Sequence, residues 1–180
     1  MSSRTDTSVM PAELTKLSDL LEHVLRNLVA SQQSLLVCLD EKRTAVRVAD
    51  TPALGSICAR ERTCIQRIEE LDSQRSEIMR RLAPLVGIKA NGAVRISAVA
   101  DAIGEDAGKR LQTISQELRD LVLRVQKESS IVKNAMEALS RHLGGIVESV
   151  NGAMSRARVY GRKGRISVGV QLAGTVDLKS

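Results

Sequence analysis

The fold of this 180-residue chain is decided by residues 105–154, which read EDAGKRLQTISQELRDLVLRVQKESSIVKNAMEALSRHLGGIVESVNGAM. Apolar residues recur along one line of this stretch, mostly in alternating steps of three and four: Leu111, Ile114, Leu118, Leu121, Val125, Val132, Ala135, Leu139, Ile146, Val150 and Met154. Glu128 and His142 are the polar residues on that line. The alternation is the heptad pattern of helices that pack side by side, and we call such a line a heptad seam. It predicts a helix of about 45 residues, roughly 65–70 Å long, which needs partners to bury its seam.

Two earlier stretches carry the same pattern and are the expected partners. The first runs from Pro11 to about Ala49, and its seam holds Leu14, Leu17, Leu21, Val24, Leu28, Leu35 and Cys38. The second follows Pro52, and its seam holds Leu54, Ile57, Cys64, Ile68, Leu71, Ile78, Leu82 and Leu85. Charged residues also occupy seam positions, where they lower stability but can fix the register: Lys42, Glu61 and Arg75.

Short connections separate these helices. Asp50-Thr51-Pro52 predicts a helix start with Thr51 as N-cap and Pro52 at the first helical position. Such a short link favours an antiparallel hairpin. Residues 87–97 are expected to form a loop, and Ser97 to cap a short helix from Ala98 to Ile103 that ends at Gly104.

Two glycines, Gly144 and Gly145, interrupt the long third helix. Together they weaken a helix interior by about 2 kcal/mol relative to alanine. Because the residues beyond them remain periodic, we expect the helix to continue with a weak point there.

Composition supports a helical bundle. The chain has no Phe or Trp, and Tyr160 is its one aromatic residue. Globular enzymes of this size usually fill their cores with aromatic side chains, whereas Leu, Ile, Val and Ala fill heptad layers well. We therefore predict an all-α fold, an elongated antiparallel helical bundle or coiled coil of three long helices and one short helix. Residues 1–10 are expected to be disordered, residues 11–155 to form the bundle, and residues 156–180 to form a basic, flexible tail.

The positive charge is concentrated in the tail. Of the net charge of +6, +5 lies from Arg156 onward, where six basic residues accompany one acidic residue. Such a tail suits an acidic protein surface, a nucleic acid or an anionic membrane, and also the solvation of a disordered end. Beyond Arg165 the apolar residues alternate with a period of two, which leaves open a disordered segment or one that adds a strand to a partner's sheet.

Few residues of the sequence suggest a catalysed reaction or a bound metal or cofactor. The three cysteines, Cys38, Cys58 and Cys64, lack CxxC spacing and are expected to be free thiols in a reducing compartment. The segment from Gly104 to Arg110 lacks the spacing of a phosphate-binding loop. No metal motif, cofactor motif or catalytic arrangement is recognisable, so we predict a protein that is not an enzyme and takes no metal or cofactor. No membrane-length apolar run or signal-peptide pattern is present, and we expect a cytoplasmic protein.

Over about residues 12–165 the chain resembles the FlgN family of flagellar type III export chaperones. One shared feature is the helical hairpin, with the turn from Asp50 to Leu54 followed by Arg60-Glu-Arg62, Leu71 and Arg75-Ser-Glu-Ile78. A second is the long third helix after a loop and a short helix. The third is Tyr160-Gly-Arg-Lys-Gly164, which looks like the family's Tyr-Gly-x-x-Gly just beyond that helix.

The resemblance implies a chaperone that binds the hook–filament junction proteins FlgK and FlgL, keeps them soluble and unassembled, and delivers them to the export gate. It also implies a cargo-binding face near the end of the long helix, formed by Ile131, Val132, Ala135, Met136, Leu139, Leu143, Ile146, Val147 and Val150. Docking on the export-gate protein FlhA would fall to Tyr160, Gly161 and Gly164. The alternatives are a structural coiled-coil homo-oligomer and a nucleic-acid-binding helical protein that uses the basic tail.

Overall fold

A computed structural model describes residues 6–88 and 94–159 of the chain. These residues form four helices and no strand: α1 (Asp6–Arg47), α2 (Thr51–Leu85), α3 (Ile96–Ile103) and α4 (Glu105–Val159). The predicted all-α fold, with three long helices and one short one, is therefore confirmed. The predicted flexible tail lies outside the described residues, apart from the last turn of α4.

Several helix ends differ from the sequence-based expectation. α1 begins at Asp6, so Pro11 lies inside the helix and residues that we expected to be disordered are helical. α3 begins at Ile96, and its N-cap position is held by Arg95 without a capping side-chain hydrogen bond, so the prediction of Ser97 as the cap was wrong. α4 continues to Val159, beyond the expected end near Met154.

The turn between α1 and α2 contains a left-handed alanine. Ala49 has a φ of +53°. Its N–H donates to the Val46 carbonyl at 3.2 Å, and the Asp50 N–H donates to the Ala45 carbonyl at 3.0 Å. These two bonds form a Schellman motif, in which glycine usually takes the left-handed position. The hydrogen bonds therefore hold Ala49 in a conformation that its Cβ disfavours.

The N-cap of α2 is Asp50. The prediction of Thr51 as the N-cap was therefore wrong. The Asp50 carboxylate accepts a hydrogen bond from the Ala53 N–H at 3.0 Å. Its negative charge also lies at the positive end of the helix dipole, an advantage that a threonine hydroxyl lacks. Thr51 is the first residue of α2, and Pro52 lies in the first turn, where its missing N–H leaves no hydrogen bond unmade.

Charged residues on the seams pair with one another across the helices. Lys42 of α1 donates to Glu61 of α2 at 2.6 Å, and their side chains are only 15% and 17% exposed. Burial by itself lowers the pKa of Lys42, but the hydrogen bond and the attraction from Glu61 outweigh it and raise that pKa overall. Glu128, the charged residue on the α4 seam, accepts from Arg43 of α1 at 2.9 Å.

These pairs and two others give the helix directions. Lys42–Glu61 near the turn and Glu13–Arg81 at the other end place α1 and α2 antiparallel. A further pair joins Arg110 to Glu22 at 2.9 Å, and hydrogen bonds from Arg26 and Arg110 hold the Glu22 pKa below its usual value. The Glu22–Arg110 and Arg43–Glu128 pairs are separated by 88 and 85 residues, so α4 runs in the same direction as α1.

The described residues divide into two compact units, at Met136 and Glu137. The core lies in the first unit, where all four helices contribute, and its largest fully buried side chains are Leu21, Leu25, Leu39, Leu71, Leu82, Leu111 and Val99. A smaller cluster contains Leu35 and Leu39 of α1 and Val132 of α4, with Cys64 and Met136 packed against it.

None of the helices in the described part of the chain is both long enough and apolar enough to cross a lipid bilayer.

Gly108 lets α4 pass close to α3. A Cβ added at this position would overlap the backbone oxygen of Ala100, which no side-chain movement can relieve. We expect Gly108→Ala to destabilise the protein by about 2 kcal/mol, as overpacked core substitutions do. Urea unfolding followed by circular dichroism measures this change.

Gly55→Ala is the matched control, because a Cβ on this α2 residue meets no atom within 4 Å. Alanine should therefore stabilise the helix there, by up to ~1 kcal/mol. Equal effects of the two substitutions would contradict the close approach of α3 and α4.

Candidate functional site

In the second unit, α4 carries apolar residues on one face of the helix. We call this set the apolar stripe, and it consists of Leu139, Leu143, Ile146, Val147, Val150 and Met154. At 3.6 residues per turn, the six side chains fall within about 100° of the helix circumference. A stripe of this width is typical of a helix that packs against another apolar surface.

The apolar stripe is exposed in this unit. The exposed fraction is 43% for Leu143 and 47% for Ile146. It is 51% for Val150, 56% for Met154 and 58% for Val147. Leu139 is half-buried. Isolated exposed apolar residues are common on protein surfaces, but a contiguous set of large ones marks a site of interaction.

The opposite face of the same segment is polar. It carries exposed charged and amide side chains, namely Glu137, Arg141, Glu148 and Asn151. Ser149 donates to the carbonyl of Gly145 at 2.9 Å, within the helix. The segment is therefore amphipathic and presents to a partner an apolar face rather than a catalytic group.

Gly144 and Gly145 lie on the polar side of this segment, and the helix continues through them as expected. A Cβ at either position would meet nothing within 4 Å. Neither glycine is therefore required by packing against another described element. What they contribute is a weaker helix next to the stripe, by about 1 kcal/mol each.

The structure separates the nine residues of the predicted cargo-binding face. Val132 is 2% exposed and packs with Leu35 and Leu39, and Met136 packs against the same cluster. These two residues therefore belong to the bundle core and not to the exposed surface. Ala135 is half-buried and Ile131 is 39% exposed, and both lie in the first unit.

The remaining five residues of the predicted face belong to the apolar stripe. The structure adds Met154, which is 56% exposed. Its place on the heptad seam was the signal in the sequence that could have included it. Tyr160, Gly161 and Gly164, predicted to dock on the export gate, lie outside the described residues.

Within residues 6–88 and 94–159, no group of three or more His, Cys, Asp or Glu side chains is arranged to hold a metal ion. A groove of about 460 Å³ lies between α1 and α4, where Arg43 is engaged by Asp40 and Glu128. Arg43 is thus neutralised by two carboxylates within this groove.

A helical bundle with an exposed amphipathic helix end is typical of proteins that bind other polypeptides. Comparison with protein families identifies it further. The family model described as FlgN protein matches residues 10–167. The chain belongs to the FlgN family of flagellar export chaperones. A search of curated proteins and a search of solved structures each gave no match.

Replacing both glycines of the weak point should stiffen the end of α4. We expect the double substitution Gly144→Ala, Gly145→Ala to stabilise this helical segment by about 2 kcal/mol, because open space surrounds both positions. Amide hydrogen exchange of residues 141–149 should slow accordingly.

Ala138→Gly is the matched control for this change. It adds a glycine at an exposed position of the same segment and should speed local exchange. Unchanged exchange in the double-alanine variant would show that the glycines do not weaken the helix.

Proposed function

We propose that this protein is a cytoplasmic chaperone that binds FlgK-like and FlgL-like hook–filament junction proteins through its apolar stripe and delivers them to the export gate. The single observation that carries the proposal is the exposure of the stripe along residues 139–154 of α4. Membership of the FlgN family supports the kind of client.

An amphipathic helix from a client fits this surface. Laid along the stripe, its apolar face would remove both sets of side chains from water, the mode in which a helix binds an apolar groove. Completing the burial of a half-exposed Val, Leu or Met contributes about 1 kcal/mol. The six stripe residues would then contribute about 6 kcal/mol, and the client a similar amount.

Association itself costs several kcal/mol in lost translational and rotational freedom. The net binding free energy is then about −8 kcal/mol, which corresponds to roughly micromolar affinity. Such a complex is stable enough to cover the client's helix and weak enough to be released at the export gate. A client helix covered in this way is not free to assemble.

Delivery is proposed to use the segment after α4. Tyr160-Gly-Arg-Lys-Gly164 resembles the family's Tyr-Gly-x-x-Gly, and that resemblance supports docking on FlhA through Tyr160, Gly161 and Gly164. The positive charge of the tail suits an acidic docking surface. Client binding and gate docking would then occupy different parts of the chain.

A coiled-coil homo-oligomer is the second candidate, because the stripe keeps heptad spacing and a second copy of the chain could cover it. The two proposals differ in their response to a client. A complex of one copy of this chain with the client supports the chaperone role. A stable oligomer that does not bind the client supports the structural role.

Calorimetric titration with the C-terminal helical segments of FlgK and FlgL from the same organism tests the proposal. We expect about 1:1 binding at micromolar affinity with a negative heat-capacity change, because apolar surface is buried. Val147→Asp places a charge in the middle of the stripe and should weaken binding about 100-fold.

Leu123→Asp is the matched control. Leu123 lies on α4 in the first unit and is 57% exposed, almost as much as Val147, but it lies on the face away from the heptad seam. It should leave client affinity unchanged, as should Tyr160→Ala, which should weaken only binding to FlhA. Equal losses from Val147→Asp and Leu123→Asp, or no binding by the unaltered protein, would contradict the proposal.

A further inference from the structure

Cys38 of α1 and Cys64 of α2 face each other across the hairpin. Two ion pairs fix the register between these helices, Lys42–Glu61 and Glu41–Arg60. In an antiparallel pair, facing residues have a nearly constant sum of residue numbers, which is 103 and 101 for the ion pairs. Cys38 and Cys64 give 102, so they occupy facing positions one helical turn from the ion pairs.

The two thiols line the same groove and differ in exposure. The Cys38 thiol interacts electrostatically with that of Cys64. Cys38 is 5% exposed, whereas Cys64 is partly exposed. Both line a surface groove of about 430 Å³. A small solute can therefore reach Cys64 from the groove, which Cys38 also lines.

The surroundings give the two sulfurs different roles. Burial, chiefly, raises the pKa of the Cys38 thiol, which favours its protonated form. Arg60 lines the groove and is ion-paired with Glu41, and its guanidinium charge acts on both sulfurs. Negative charge that develops on a reacting thiol or on a departing oxygen is stabilised by this arginine.

Cys58 is set apart from the pair. The register of the ion pairs places it opposite position 44 of α1, nearly two helical turns from Cys38. The third cysteine of the chain therefore does not face Cys38.

We propose that Cys38 and Cys64 are a peroxide-sensitive thiol pair that closes into a reversible disulfide between α1 and α2. In the first step, the Cys64 thiolate attacks a hydroperoxide, the O–O bond breaks, and Cys64 becomes a sulfenic acid while the departing oxygen takes a proton. In the second step, the Cys38 sulfur attacks the sulfenic sulfur and loses its proton, the S–S bond forms, and water leaves. Two thiols are oxidised, and one hydroperoxide is reduced to an alcohol and water.

The disulfide would tie together the two helices that α4 packs against. Cys64 packs against the cluster that contains Val132 of α4. A cross-link at this position closes a loop that includes the whole hairpin turn and restricts the unfolded chain, which stabilises the fold. The proposal concerns the bundle and does not rest on the proposed function of the stripe.

The test uses the full-length reduced protein, treated with a small excess of hydrogen peroxide. Thiol titration should fall from three free cysteines to one, and peptide mass mapping should find Cys38 joined to Cys64 with the loss of two hydrogen atoms. The melting temperature should rise by about 5–10 °C. Dithiothreitol should restore all three thiols.

Cys58→Ser is the matched control and should form the same cross-link. Cys38→Ser and Cys64→Ser should form none. A cross-link through Cys58, sulfinic acid at Cys64 without a cross-link, or three thiols still free after treatment would each overturn the proposal.

Discussion

The packing of the α4 heptad seam against the α1–α2 hairpin is the interaction on which the rest of the structure depends. Leu111, Ile114, Leu121 and Val132 of α4 are buried by it. Ion pairs at Glu22 and Arg43 hold α4 in parallel register with α1.

The apolar stripe of the second unit is exposed. The same pattern that buries Val132 in the first unit leaves Ile146 and Val150 exposed in the second. A protein selected for stability alone would place polar residues there, since exposed apolar side chains add nothing to folding and favour aggregation. Their presence, together with a glycine pair that weakens the same helical segment, supports the proposal that this surface binds a partner.

Heptad periodicity predicted most of the fold because it records which side chains must be buried. Lys42 and Glu61, read as charges on two seams, are explained by their pairing with each other. The helix ends were less predictable. Asp50 and Thr51 are adjacent and both are good caps, and only the backbone geometry selects Asp50. The left-handed residue of the turn is Ala49, whereas the usual signal is glycine.

The sequence could predict that the candidate site lies near the end of α4, but it could not predict which of the site's residues are exposed. Sequence spacing places Val132, Ile146 and Met154 on one seam, but Val132 is buried and the other two are exposed. Exposure is a tertiary property that periodicity does not encode. The thiol pair could not be predicted from the sequence for the same reason. Cys38 and Cys64 are 26 positions apart, and only the register of the hairpin brings them to facing positions.

Hydrogen exchange along α4, without and with a saturating FlgK C-terminal segment, tests most directly whether the stripe is the surface that a partner covers. In the free protein, we expect residues 111–132 to exchange slowly and residues 139–154 rapidly, because only the former are packed. Bound client should slow exchange at residues 139–154 at least about 10-fold and leave the bundle unchanged. Slow exchange at residues 139–154 in the free monomer, or protection by the client only elsewhere in the chain, would contradict it.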